Sequence, residues 1–319
     1  MTKPTVVSLF SGIGGIDIAF MQSGFEIMCA NELDKDACVT YRNNFSDCNL
    51  IEKDIKSILA AEFPQADVIT AGFPCQSFSV MGYQRGFNDK RGNLFYEIVR
   101  VAQTVQPKII LLENVKNLIY HDDYRTIITI HNELSRLGYT IKYSVLSPNT
   151  HANIPQDRKR VFVVAFSDID MMNSFTFPDE MPLTKGIDDI INRKEKHSDI
   201  YYYSTDSRYY NELNRKITDK VGMYRIDDSG VANKRYNISP TLKANMGTYH
   251  DRVPVIRDDF GIRRITPLEC LAFQGYPTEY VFKGIPLESA YKQAGNTVCV
   301  PVVKRIADNI FKALYKGEK

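Results

Sequence analysis

Several features are missing from this sequence of 319 residues, and each absence narrows what the chain can be. No apolar run approaches the ~18 residues that a membrane-spanning helix needs, so no membrane partner is expected. The opening Met-Thr-Lys-Pro carries no apolar stretch of the kind a secretory signal contains, and a cytoplasmic protein is expected. Cysteine is sparse: Cys29, Cys38, Cys48, Cys75, Cys270 and Cys299 form no CxxC pair and no metal-ligand spacing. That excludes a disulfide framework and predicts free thiols in a reducing compartment, with no metal site. Charge of one sign is lacking too. The net charge is +2, so any surface for nucleic acid has to be local. Internal repeats, low-complexity tracts and the dinucleotide signature GxGxxG are also absent.

What is present is a series of short apolar runs, each ending in a turn or an acid. Thr5-Val6-Val7-Ser8-Leu9-Phe10 reads as a strand, Ser11-Gly12-Ile13-Gly14-Gly15 as a tight turn, and Ile16 to Phe20 as the start of a helix. Glycines at a helix N-terminus let a ligand approach the backbone. Here Asp17 stands in the first helical turn, where a pyrophosphate would sit, so a cationic or zwitterionic ligand suits the turn better. A plain tight turn is the other reading. Glu26 to Asn31 is a second strand with Glu32 at its end, placed either to hold a ribose diol or to cap the next helix. Leu50 to Ile55 is a third, with Asp54 near its end.

A fourth strand, Asp67-Val68-Ile69-Thr70, runs into Ala71-Gly72-Phe73-Pro74-Cys75-Gln76-Ser77-Phe78-Ser79. In open α/β sheets the carboxyl edge is where ligands bind. Pro74 fixes its own φ and restricts Phe73, so the thiol of Cys75 is delivered on a stiffened backbone. Gln76, Ser77 and Ser79 surround it with polar groups, an odd setting for a cysteine that only fills space. After a helix with Leu94, Ile98, Val101 and Val105 on one face, a fifth strand (Pro107 to Leu112) ends in Glu113-Asn114-Val115. A glutamate beside apolar walls tends towards a raised pKa and can carry a proton; pairing with a lysine is the plainer role. Another one-faced helix follows (Ile127, Ile130, Leu134, Leu137), then strands Tyr139 to Leu146 and Val161 to Phe166. Between these strands lies the basic loop Ile154 to Arg160. Its Arg158 and Arg160 alternate and suit a phosphate or a carbonyl oxygen, or simply solvent. These elements predict an α/β fold with a doubly wound, mostly parallel sheet.

Composition shifts near Asp168. From there to about Val255 the chain is rich in Asn, Asp, Lys, Ser and Tyr, which predicts a smaller, irregular domain. The expected division is 1–168 plus 286–319 for the larger part and 169–285 for the smaller. From Arg225 to Arg264 eight Lys/Arg face five Asp, a modest basic excess that suits phosphate contacts. Within it, Asn237 to Gly247 reads as a polar loop. Arg263 to Cys270 starts a helix with Pro267 in its first turn. Gln293-Ala294-Gly295-Asn296-Thr297-Val298 reads as a glycine turn before a last helix bearing Val303, Ile306, Ile310 and Leu314.

In this order the motifs resemble the DNA (cytosine-5)-methyltransferase family of the bacterial restriction-modification type, over nearly the whole chain. The carriers are Phe10 to Gly15, Glu32, Asp54, Pro74-Cys75-Gln76, Glu113-Asn114-Val115, Gln156-Asp157-Arg158-Lys159-Arg160, Arg264 to Pro277 and Gly295-Asn296-Thr297-Val298. The region from Asp168 to Val255 matches weakly, as expected where members differ in target sequence.

The resemblance implies a Rossmann-like methyltransferase fold and a smaller target-recognition domain. The implied cofactor is S-adenosyl-L-methionine, leaving as S-adenosyl-L-homocysteine. Its site would be formed by Phe10, Ser11, Gly12, Ile13, Gly14, Gly15, Glu32, Leu33, Asp54, Ile55, Phe73, Pro74, Leu94, Asn296 and Thr297. Cys75 is the implied nucleophile towards carbon 6 of a flipped-out cytosine. Glu113 would hold the ring's N3 and amino group, Arg160 would steady Glu113, and Arg158 would contact the cytosine carbonyl. Gln76, Ser79, Thr241, Asn245 and Arg264 are implied contacts to duplex DNA. A monomer is implied, alongside a restriction endonuclease acting on the same sequence without a stable complex. The nearest alternative is an RNA cytosine methyltransferase of the same fold. A nicotinamide oxidoreductase rests on the glycine turn alone, and a catalytically dead DNA-binding protein is at odds with an intact Cys75 and Glu113.

Overall fold

The computed structural model of the chain describes residues 2–74, 94–218, 220–227, 230–235, 237–248 and 252–316. Seven of the apolar runs join one sheet: β1 (Thr5–Leu9), β2 (Glu26–Asn31), β3 (Leu50–Ile51), β4 (Val68–Gly72), β5 (Ile109–Val115), β6 (Thr140–Leu146) and β7 (Arg160–Phe166). Their order is β3-β2-β1-β4-β5-β7-β6. Neighbours are parallel except at β7, which runs antiparallel to both β5 and β6. Helices α1 (Gly15–Gln22), α2 (Lys35–Asn44), α3 (Leu94–Val105) and α4 (Arg125–Arg136) lie between these strands in the chain. The chain winds outward from β1 to β3, then restarts at β4 on the other side of β1. The order therefore reverses between β1 and β4, which is where a doubly wound sheet opens a crevice for ligands.

Burial on both faces explains why β4 and β5 read as unbroken apolar runs. Ile109, Ile110, Leu111 and Leu112 are all buried. On α3, Phe95, Ile98, Val101, Ala102 and Val105 form the buried stripe, at three- and four-residue spacing. They share one apolar cluster with Val7, Leu9, Ile69, Ala71, Phe73, Ile127, Ile130 and Leu134. Helices this short are marginal alone, so burial of their stripes, at about 1.5–3 kcal/mol for each large side chain, holds them in place.

The chain divides into two compact units: Met1–Leu146, Lys159–Asp179 and Val302–Lys319 form the first, and Ser147–Arg158 with Glu180–Pro301 form the second. This differs from the division expected from composition, because 147–158 and 286–301 both group with the second unit. The second unit is also not irregular. It contains an antiparallel sheet of β8 (Met223–Asp227), β9 (Gly230–Arg235), β10 (Val255–Arg257) and β11 (Ile262–Arg264), in the order β11-β10-β8-β9. Leu213, Ile217, Tyr224, Ile226, Val255 and Ile262 form its core. Just past a 3-10 turn (Asp199–Tyr201), Tyr202 makes an isolated bridge to Arg263.

The remaining helices are α5 (Pro148–His151), α6 (Ile169–Ser174), α7 (Tyr210–Lys216), α8 (Pro267–Ala272), α9 (Leu287–Asn296) and α10 (Val300–Lys316). Two further expectations need correcting. The stretch Gln293 to Asn296 is the last turn of α9 rather than a loop, and the turn begins only at Thr297. The third strand stops at Ile51, because the Asp54 side chain caps a 3-10 turn, Ile55–Ser57, and accepts from Lys56 N at 3.0 Å.

Candidate active site

At the carboxyl end of β1 the backbone turns sharply. Phe10 has φ +54°, Gly12 +55° and Gly14 +76°. Gly14 is required twice over, since a Cβ there would stand 2.4 Å from the Phe45 ring. A Cβ on Gly12 would meet nothing within 4 Å, so the loop borders open space at that point. Two side chains lace this loop to the neighbouring strand ends. Glu32 Oε2 accepts from Gly12 N, and its Oε1 accepts from Leu33 N and Asp34 N, each at 2.8 Å. Asn31, buried, donates to the carbonyls of Ile51 and Lys53, both at 2.9 Å. Helix α2 is capped by Asp34, not by Glu32. Ile55 is buried, while Leu33 is 61% exposed. Phe10 is half-buried against the apolar cluster.

Asp17 does not face this loop's open side. It is fully buried, and the Tyr41 hydroxyl donates to its Oδ2 at 2.8 Å. Burial pushes its carboxyl up to about 6, against hydrogen bonds from Ser8 and Tyr41 that pull the other way. The acid in the first helical turn joins α1 to α2, so it gives no support to a cationic ligand.

The edge formed by β4 and β5 carries the second cluster. Gly72 lies opposite Glu113, and a Cβ on Gly72 would come within 3.7 Å of Glu113 Oε2. Glu113 is 9% exposed and is held by Arg160, whose Nε lies 3.2 Å from Oε1. Arg160 begins β7 directly across from Val115, so the antiparallel strand is what brings the guanidinium to the carboxylate. Asn114, also buried, donates to Phe73 O at 2.9 Å and accepts from Val115 N. It ties the end of β5 to the backbone two residues before Cys75, a role the sequence reading did not assign. Phe73 is buried against Phe95, with Leu94 half-buried on the same cluster. Cys75, Gln76 and Ser79 lie outside the described residues.

The other expected site residues belong to the second unit. Arg158 is 2% exposed. Its Nη1 donates to Leu242 O at 2.7 Å, and its Nη2 to Gly295 O at 3.1 Å and Thr297 O at 2.5 Å. Both terminal nitrogens thus donate to backbone carbonyls. The Thr241 hydroxyl donates to Asp157 O, and the Thr297 hydroxyl is hydrogen-bonded to that of Tyr276. Asn245 and Asn296 are exposed. Arg264 donates to Ile200 O at 2.6 Å. Its neighbour Arg263 is fully buried between Asp258 and Glu269.

Among the described residues no group of His, Cys, Asp and Glu could hold a metal ion, and no helix is long and apolar enough to cross a membrane.

Residues 4–312 match the profile of the family described as C-5 cytosine-specific DNA methylase. The chain is similar to the Type II methyltransferase M.Bsp6I of Bacillus sp. (strain RFL6), with 45% identity over 312 residues, 97% of this chain and 99% of that one. It is 34% identical to the Type II methyltransferase M.SsoII of Shigella sonnei over 316 residues, covering 97% and 80% of the two chains. Among solved structures, a DNMT2 mutant from Spodoptera frugiperda superposes with a TM-score of 0.74 at 20% identity, over 97% of this chain and 100% of that one, which speaks to the fold alone.

Proposed function

Because the chain belongs to the C-5 cytosine-specific DNA methylase family and is a DNA (cytosine-5)-methyltransferase, we propose that it methylates one cytosine within a short duplex sequence, as the modification half of a Type II restriction system. The observation that carries the reading is the Glu113–Arg160 pair, set beside the Gly72-Phe73-Pro74 segment that leads into Cys75.

The residues at the first three strand ends fit S-adenosyl-L-methionine, which supplies an electrophilic methyl group. Open space borders Gly12, an aromatic and an aliphatic surface stand at Phe10 and Leu33, and acids stand at Glu32 and Asp54. Ser11, Gly12, Ile13, Gly14 and Gly15 form the bordering loop, and Phe73, Pro74 and Leu94 its neighbouring wall. Three backbone N–H groups occupy Glu32, so of about four acceptor positions on a carboxylate one is left for a ribose hydroxyl. Asp54 and Ile55 meet the adenine edge.

Carbon 5 of cytosine is a poor nucleophile. The Cys75 thiolate forms a bond to carbon 6, and the ring's π pair makes carbon 5 enamine-like while Glu113 hydrogen-bonds N3 and the amino group. Carbon 5 takes the methyl group, a base removes its proton, and the C6–S bond breaks to restore the ring. Arg160 keeps Glu113 in place with its charge balanced. A stacked base cannot reach this edge, so the cytosine is flipped out at a cost of a few kcal/mol. The second unit reads the target through Asn245 and the basic residues around it, with Gln76 and Ser79 following the strand. The protein acts as a cytoplasmic monomer, independent of the endonuclease that shares its sequence.

A duplex carrying 5-fluorocytosine tests this reading. The expected result is a covalent complex in the presence of cofactor that is lost in Cys75→Ser. Methyl groups found on adenine or on the cytosine amine would refute it.

A further inference from the structure

The segment 237–248 has only one short 3-10 turn, Ala244–Met246, among its residues. Its conformation has to be imposed from outside. Ser239 N donates to Pro155 O at 2.7 Å, Asp157 N returns a bond to Ser239 O at 3.0 Å, and Thr241 donates to Asp157 O. Arg158 then takes Leu242 O with one nitrogen, and Gly295 O and Thr297 O with the other. From the opposite side the segment lies directly on α9. A Cβ on Gly295 would stand 2.2 Å from the Lys243 carbonyl carbon, and one on Gly247 would stand 2.4 Å from Glu288 O. Glycine at both places is what permits the contact.

The result is a segment with alternating fates. Leu242 and Met246 are buried, while Lys243, Asn245 and Thr248 are exposed. A lysine suits a phosphate, and an asparagine suits a base edge, which it reads through paired donor and acceptor atoms. Such reading demands that the side chain leave the backbone in one direction.

We propose that Arg158 is a positioning residue for target recognition: its fork across Leu242, Gly295 and Thr297 sets the 237–248 segment against α9, so that Lys243 and Asn245 meet DNA preorganised. Only a planar fork spans three carbonyls at once, and a lysine ammonium on a flexible stem does not. The inference rests on the proposed action on a specific duplex sequence. Methylation by the unaltered protein tests that reading separately.

The experiment uses Arg158→Lys in the full chain. The substrates are a duplex bearing the recognised sequence, mapped by bisulfite sequencing, and the same duplex with one base pair changed beside the target cytosine. The expected result is a KM for DNA raised about tenfold to a hundredfold. We expect a smaller change in kcat and a narrowed ratio between the two duplexes. Gly247→Ala, which lifts the same segment from its other side, should give the same pattern, and the two changes together should fall short of additivity. If Arg158→Lys does not fold by circular dichroism, Gly247→Ala alone decides by the same readouts. A fall in kcat with KM and discrimination intact would place Arg158 at the base and overturn the proposal. A lowered Tm with unaltered kinetics would overturn it as well, leaving Arg158 a role in stability alone.

Discussion

Arg160 Nε and Glu113 Oε1 are 3.2 Å apart, with both side chains largely shielded from water. In that setting the guanidinium fixes where the carboxylate points and balances its charge. Arg160→Ala therefore leaves a buried acid without this partner, and Glu113→Gln keeps the shape but not the charge. Each is expected to lower kcat about a hundredfold or more, as removal of a preorganised electrostatic partner does. Single-turnover methylation at saturating DNA checks this, and an unchanged kcat in Glu113→Gln would remove the residue from the mechanism.

Asp17 ties stability to pH. Its carboxyl is raised to about 6 by burial, so the folded state binds the proton more tightly than the unfolded one. That contribution is complete below about pH 4, is lost as pH rises to about 6, and is flat beyond, since the unfolded chain then gains more by ionising. Asp17→Asn can still accept the Tyr41 hydroxyl and has no charge to desolvate. Near pH 8 it should be more stable than the unaltered protein by up to about 3 kcal/mol, with no such gain near pH 4. Urea unfolding at the two pH values measures the difference. Equal stabilities at high pH would show that the ionised carboxylate is compensated.

The Asp258–Arg263–Glu269 cluster is a liability if one member is lost. Arg263 donates to Asp258 at 2.7 Å and to Glu269 at 2.7 and 2.8 Å, and its side chain has no exposed surface. Arg263→Met would leave two carboxylates facing each other in the interior, at a cost of about 3–5 kcal/mol. A downward shift of the unfolding transition of the second unit, followed by tyrosine fluorescence, is the expected signal.

Burial also separates the thiols. It pushes Cys29 up to about 12 and Cys38 to about 11, and raises Cys48 and Cys270. Cys299 is buried too. Alkylation near neutral pH should therefore mark Cys75 first and abolish methylation with one label per chain. Peptide mass spectrometry reports the site, and early labelling at any other cysteine would contradict the assignment.

Much of this was legible in the residues. Strands β1, β4, β5 and β7 show themselves because they are buried on both faces, and Gly12, Glu32, Asp54 and Glu113 stand at or just beyond strand ends. Other parts left weaker marks. The second unit's strands are short and carry Arg225, Arg257, Arg263 and Arg264, so their alternation looks like polar loop. Arg263 is buried by partners at Asp258 and Glu269 that nothing local connects to it. The three carbonyls that Arg158 serves are distant in sequence, so nothing in the basic loop itself points to them. Asp17 misled for the same reason. Asn114 left one usable signal: a polar side chain following an unbroken aliphatic strand needs a partner.

The last helix bears on how the chain reaches this state. Ser23 donates to Asp308 at 2.7 Å, Phe25 packs edge-on against Phe311 at 5.6 Å, and the Tyr315 hydroxyl donates to Thr2 O. Residues 285 positions apart in the chain thus meet here. Closing so long a loop is entropically costly, so these contacts are expected among the later ones to form as the first unit folds.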